Sequence, residues 1–226
     1  VSCMEITAKH KIPHFYGFGA TEVVNEKFAS DPEKYGYWMI KGWPAPYKLT
    51  LAYVQMLEDA IAAGTYKPES KTVAVYGEDT DLGRSFGNGI KKQMEEKGWT
   101  VVAEEYFPID QTEFYPLLNK LKELKPAVIA GTSTAPPSLS AFIKQADEVG
   151  LKSLIIADGL GWVGEWYDLT GSSSNYVLDQ IPAFATEEGK QYAADFKARW
   201  GLDPSPSAAG LAYDGTNFFI AMAQDL

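Results

Sequence analysis

Lys71–Ser85, KTVAVYGEDTDLGRS, reads as a strand, a polar turn and the first turn of a helix, and the rest of the chain is organised around it. Thr72 to Tyr76 is a short apolar run rich in β-branched residues, the pattern of a strand covered on both faces by helices. Gly77 ends it. Glu78, Asp79, Thr80 and Asp81 then offer capping side chains to a helix predicted over Leu82 to Lys97, where Leu82, Phe86, Ile90 and Met94 share one face. In parallel α/β sheets ligands bind at such a strand-to-helix turn, because the helix N-terminus presents free N–H groups.

Upstream, Cys3 to Lys9 has the pattern of a helix, His14 to Phe18 of a short strand, and Gly19-Ala20-Thr21-Glu22 of a turn. Small residues at Gly19 and Ala20 let a ligand approach the backbone and Thr21 adds a hydroxyl; a helix-capping turn accounts for the same residues. Asn25 to Tyr35 is polar and reads as a surface loop, and Tyr37 to Ile40 as a strand. The prolines of Gly42-Trp43-Pro44-Ala45-Pro46 forbid helix and mark a candidate hinge, with Trp43 either a cleft wall or ordinary core. Tyr47 to Ala63 is predicted helical with Leu51, Val54, Leu57 and Ile61 on one face.

Downstream, strands are expected at Thr100 to Phe107, Pro126 to Gly131 and Leu154 to Ala157. Helices alternate with them: one to Leu124, capped by Asp110-Gln111-Thr112-Glu113, and one over Ser138 to Val149. Strands and helices alternating at such short intervals imply a parallel sheet with helices on both faces. Tyr176 to Phe184 reads as a further strand, Glu187 to Trp200 as an amphipathic helix, and Ala208 onward as another.

The chain has 226 residues, 46% hydrophobic and 22% charged, an ordinary globular composition. A formal net charge of −10 argues against nucleic-acid binding. The single cysteine, Cys3, excludes an internal disulfide and a cysteine-based metal site. Val-Ser-Cys resembles a lipoprotein cleavage site, but helix-compatible Met4, Glu5, Ile6 and Ala8 follow it. With no initiator Met and an apolar segment running to the end, an internal fragment is expected.

Glu78, Asp79 and Asp81 at a strand's carboxyl end would suit Mg²⁺ and an enzyme built on it, but Gly77 and Gly83 fit no phosphate-binding glycine loop, and helix capping explains the turn. His10 and His14 could pair on a metal only in a helix, which Pro13 opposes. Asp158 follows an apolar strand in a glycine-rich loop near Trp162 and Trp166. A carboxylate among aromatics suits an ammonium group, and a plain turn aspartate is the alternative.

Several stretches together resemble the type I periplasmic binding proteins, in the leucine/isoleucine/valine-binding branch that serves ABC importers. They are IPHFYGFGATE at 12–22, KTVAVYGEDTDLGRSFGNGIKKQMEEKGWTVV at 71–102, DQTEFYPLLNKLKELKPAVIAG at 110–131, FIKQADEVGLKSLIIADG at 142–159 and AYDGTNFFIAMA at 212–223. The resemblance implies a two-lobed α/β fold: residues 1–43 part of lobe I, 44–175 lobe II, and 176–226 a return to lobe I, with the first lobe incomplete. It implies a non-catalytic, extracytoplasmic solute-binding protein, periplasmic or lipid-anchored, monomeric, without cofactor or metal, that delivers an amino acid or related amide or carboxylate to a membrane permease. A ligand-sensing domain of the same fold is the alternative.

By the same resemblance, Gly19 and Thr21 match positions that hold a ligand carboxylate. Leu82 falls where many relatives place a tyrosine, and Thr134 lies in a loop that often carries an aromatic. Asp158 lies within a residue of the family's amine-binding acid, with Gly159 the other match.

Overall fold

The computed structural model describes residues 1–16, 21–162, 166–180 and 183–224. Cα packing divides the chain into two units, Val1–Ala45 with Ile181–Leu226, and Pro46–Gln180.

The first unit opens with α1 (Ser2–His10), β1 (His14–Tyr16), α2 (Val23–Ser30), α3 (Pro32–Tyr35) and β2 (Trp38–Lys41), with β1 and β2 paired in parallel. The polar stretch read as a loop therefore holds two short helices. Asp31 starts the second, its side chain accepting from the Lys34 N–H, with Pro32 in the first turn. Met4, Ala8, Val24 and Tyr35 pack together, and Glu5 ties the three helices by accepting from Lys27, from Lys34 (2.8 Å) and from the Tyr35 hydroxyl (2.6 Å).

The second unit runs α4 (Pro46–Ala62), β3 (Thr72–Glu78), α5 (Asp81–Glu96), β4 (Thr100–Phe107), α6 (Tyr115–Leu124), β5 (Val128–Thr132), α7 (Pro136–Glu148), β6 (Leu154–Asp158) and α8 (Trp166–Thr170). Among the described residues its strands form a parallel sheet in the order β4-β3-β5-β6. Strand periodicity sends alternate side chains to opposite faces. Val73 and Val75 of β3 join Tyr53, Val54 and Leu57 of α4 and Phe86, Ile90 and Met94 of α5. Ala74 and Tyr76 join Leu118 and Leu121 of α6 and Phe142 and Ile143 of α7. The sheet is thus buried on both faces, as the apolar run at Thr72 to Tyr76 implies.

Two local expectations are corrected. On α4, Val54 and Leu57 are buried and Ile61 packs against them as expected, but Leu51 is exposed and the packed face is completed by fully buried Thr50 and Tyr53. On α6, none of Asp110 to Glu113 caps the helix, whose N-cap is Phe114 without a side-chain cap bond; the entry is held from α7 instead, the Phe114 N–H donating to Gln145 Oε1 (2.6 Å) and Gln145 Nε2 donating to the Thr112 carbonyl (2.8 Å). Gln145→Ala should therefore cost about 1–2 kcal/mol of stability, the scale of the two hydrogen bonds lost, whereas Asp110→Ala should stay within about 0.5 kcal/mol of the parent. Chemical denaturation of both variants checks this, and equal effects would refute the assignment.

After α8, a short 3₁₀ turn covers Gly171–Ser174. Among the described residues of the strand expected over Tyr176 to Phe184, the chain turns at Tyr176 and Leu178 alone bridges to Ile156, donating to the Ile155 carbonyl (2.9 Å) and accepting from the Ala157 N–H (2.9 Å); residues 181 and 182 lie outside the described residues. The first unit then resumes with α9 (Glu187–Trp200), capped by Thr186 and closed by Gly201, and α10 (Leu211–Gln224), which follows a π turn at Pro206–Gly210. Tyr192 of α9 packs on Phe184 and Tyr213, and Phe219 of α10 meets Phe15 of β1 edge-on at 4.8 Å.

Candidate functional site

In the order β4-β3-β5-β6 the connections run to opposite sides of β3, so the carboxyl ends of β3 and β5 flank the point where the topology reverses. Such a point leaves a crevice at the strand ends. Three turns meet there: Asp79–Thr80 after β3, Ser133–Ala135 after β5, and Gly159 onward after β6.

Glu78, 2% exposed, braces the first two turns. Its Oε2 accepts from the Thr134 N–H (2.7 Å) and hydroxyl (2.9 Å), and its Oε1 from the Thr80 hydroxyl (2.8 Å). Thr80 in turn caps α5, accepting from the Gly83 N–H at 3.1 Å. The acidic turn accordingly does not converge. Glu78 points inward to the Thr134 turn while Asp79 pairs with Arg84 (2.6 Å) on the surface, which holds its carboxyl below the usual carboxylate range. Among the described residues no three His, Cys, Asp or Glu side chains are grouped to hold a metal ion.

Behind the third turn lies a second buried assembly that links residues far apart in sequence. Asp158 closes β6 at 1% exposure. Its Oδ1 lies 3.0 Å from the Tyr53 hydroxyl and its Oδ2 accepts from the Thr132 hydroxyl at 3.0 Å. Asp179 lies on the other side of Tyr53, its Oδ1 2.6 Å from the same hydroxyl and 2.7 Å from the Gln180 N–H, and its Oδ2 accepts the Gly161 N–H at 2.5 Å. The Gln180 N–H also reaches the Tyr53 hydroxyl oxygen at 2.9 Å. Burial pushes Asp158 up to about 7, helped by the Asp179 charge, and burial likewise raises Asp179. The Tyr53 hydroxyl is pushed far up by desolvation and by both carboxylates.

The residues singled out in sequence fall as follows. Gly19 and Ala20 lie outside the described residues. Thr21 is half-buried in the first unit, its hydroxyl accepting the Val23 N–H (3.2 Å), and Trp43 is buried two residues before the unit boundary. In the second unit Leu82 is half-buried in the first turn of α5, Thr134 braces Glu78, and Asp158 faces Tyr53 and Thr132. Gly159 has φ +106°, and a Cβ there would stand 2.7 Å from the Ser133 carbonyl oxygen, so this turn closes only without a side chain. Sequence reading missed Glu78 as a brace, Tyr53 and Asp179. Tyr53 carries a local signal, a phenol on the buried side of a helix, which requires a hydrogen-bond partner.

Solved structures with the same fold come from several bacteria. An ABC transporter protein from Silicibacter pomeroyi superposes with a TM-score of 0.80 at 20% identity, over 98% of this chain and 54% of its own. A solute binding protein from R. palustris in complex with benzoate gives 0.75 at 16% identity, over 94% of this chain and 56% of its own. The binding protein LivJ from Streptococcus pneumoniae in complex with isoleucine gives 0.71 at 17% identity, over 96% and 58%. The chain spans a little over half the length of these structures. The family model described as "Periplasmic binding protein" matches residues 2–226, so the chain belongs to the periplasmic binding protein family.

Proposed function

We propose that the protein captures a small solute with a carboxylate and an apolar body outside the cytoplasm and delivers it to an ABC permease, without catalysing a reaction. The observation that carries this reading is the braced crevice of the second unit. Glu78 locks the turns after β3 and β5, and α5 begins at the crevice, so the positive end of its dipole favours an anionic group there. Half-buried Leu82 at the same helix start supplies an apolar contact without a hydroxyl. In the first unit, Thr21 is the proposed carboxylate contact. The benzoate and isoleucine of the two solved proteins named above share a carboxylate and a hydrophobic body, and only isoleucine carries an ammonium group.

A ligand that binds the folded state should stabilise it by about 2.7 kcal/mol at a hundredfold excess over Kd. A thermal-shift screen of hydrophobic carboxylates, their amides and amino acids should therefore raise the midpoint for at least one of these classes. Shifts confined to nucleotides or divalent metals would sink the solute-binding reading.

A further inference from the structure

Three carboxylates at the carboxyl end of the second unit's sheet, buried Glu78 and Asp158 and half-buried Asp179, already have protein partners. Glu78 holds Thr80 and Thr134, Asp179 holds Gly161 and Gln180, and Asp158 holds Thr132. What remains is the arrangement around the Tyr53 hydroxyl. Its oxygen accepts the Gln180 N–H, and it stands within hydrogen-bond distance of two carboxyl oxygens, Asp179 Oδ1 at 2.6 Å and Asp158 Oδ1 at 3.0 Å.

A phenol has one proton and can donate once. The shorter contact takes it: Asp179 is the better ionised partner, because backbone N–H groups of Gly161 and Gln180 also point at it. Contact between Asp158 and Tyr53 is then a hydrogen bond only if Asp158 carries a proton on Oδ1 and donates. Were both carboxyls ionised, one would face the phenol's lone pairs in a site nearly free of water, a cost that buried unpaired charge does not sustain. Groups around Asp158 are acidic or neutral on every side: Tyr53 from α4, Tyr76 and Glu78 from β3, Thr132 from β5, and Asp179 from the segment after the 3₁₀ turn. Among the described residues no ion pair reaches Asp158 or Asp179.

We propose that Asp158 is held as a neutral, donating acid in the chain Asp158 to Tyr53 to Asp179, and that the solute is accordingly a hydrophobic carboxylate without an ammonium group. The second half rests on the solute-binding reading above. An ammonium ion needs a desolvated carboxylate with a free oxygen. Asp158 is 1% exposed, with Oδ1 on the Tyr53 hydroxyl and Oδ2 beside the Thr132 hydroxyl, whose one proton it shares with the Asp158 carbonyl, so neither oxygen reaches the crevice, and Gly159 beside it has no room for a side chain. Among the described residues of the three turns, the remaining acids, Asp79 and Asp81, are exposed to water.

Matched pairs test this: 4-methylpentanoate against leucine, and 3-phenylpropanoate against phenylalanine, each titrated calorimetrically at neutral pH into the parent and into Asp158→Asn. The amide keeps the shape and can donate to Tyr53 as the neutral acid does. The acid of a pair should bind at least about tenfold more tightly than the amino acid, the scale of one charge left without a partner, and Asp158→Asn should keep that preference. A ligand-free reading accompanies it: a protonated-carboxyl band in the infrared spectrum of the parent at neutral pH, lost in Asp158→Asn. Tighter binding of leucine than of 4-methylpentanoate, reversed by Asp158→Asn, overturns the proposal while leaving the solute-binding reading standing. Binding of neither member of either pair, with no carboxylate active in the thermal screen, overturns both. An unfolded Asp158→Asn, or a parent without the infrared band, overturns the neutral acid.

Discussion

Gly131→Ala should leave the second unit barely able to fold. Gly131 lies in β5 directly beside Tyr76 of β3, and a Cβ there would overlap the Tyr76 carbonyl oxygen and stand 2.6 Å from its ring. That ring crosses the strand at Gly131 to bring its hydroxyl to the Ile156 carbonyl on β6 (3.3 Å), and Phe142 stacks on it at 4.4 Å. Neither the carbonyl nor the clamped ring can give way cheaply, so the loss should reach about 4 kcal/mol, the upper range for a single substitution and a large share of a domain's stability. Urea unfolding followed by circular dichroism gives the value. A loss below about 1 kcal/mol would mean that the sheet relaxes in a way this packing does not allow.

Tyr53→Phe should produce the second large effect, with a pH signature. Removing the hydroxyl leaves buried Asp158 without its partner on Oδ1, at about 1–3 kcal/mol, and takes one donor from half-buried Asp179, which keeps the Gly161 and Gln180 N–H groups. In the parent, Asp158 rises from an ordinary 3.8 to about 7 in the folded state, so between those values the folded protein holds a proton that the unfolded chain has released. Stability therefore falls as pH rises through that window, by up to about 1.4 kcal/mol per unit, and levels off above it. The contribution is fully present below pH 3.8.

Glu5 in the first unit has the opposite sign. Lys27, Lys34 and Tyr35 hold it down from 4.5 to about 2, so its contribution is present above 4.5 and lost as pH falls towards 2. Unfolding midpoints measured from pH 3 to pH 9 should show Tyr53→Phe below the parent throughout, with a falling limb retained between pH 4 and 7. Asp158→Asn should lose Asp158's share of that limb, keeping only the fall that raised Asp179 contributes, and lie above the parent at pH 8. A parent with no falling limb would contradict a protonated Asp158.

The frame of the second unit was legible because its signals are local. β3 is an apolar run that continues through Gly77 to Glu78, one residue past the expected stop; α5 carries Phe86, Ile90 and Met94 at helical spacing behind the capping Thr80; and Gly150 follows α7 as expected, while Gly131 lies inside β5. Errors arose where the partner is remote. Asp110 to Glu113 look like a cap, yet Gln145, 31 residues from Phe114, supplies the acceptor. Aliphatic spacing put Leu51 inside, whereas the face of α4 is set by what Tyr53 must reach. At the site, Tyr53 and Asp179 are 126 residues apart, and no local pattern announces a bond across that distance. Asp158 was visible as a lone acid after an apolar strand, but its direction depends on a phenol delivered by another helix.

Gln180, the last residue of the second unit, does more than bond Tyr53: its side-chain amide donates to the Leu49 carbonyl at 2.9 Å, one turn into the helix with which that unit begins. The start and the finish of residues 46–180 are thereby stitched together. A segment whose two ends lie side by side can be excised, circularly permuted or grafted into a host loop without stretching its own core, because a short linker replaces what the parent chain supplied. The second unit is in that sense a removable cassette, and its clasp is the same Tyr53 hydroxyl that Asp158 and Asp179 share.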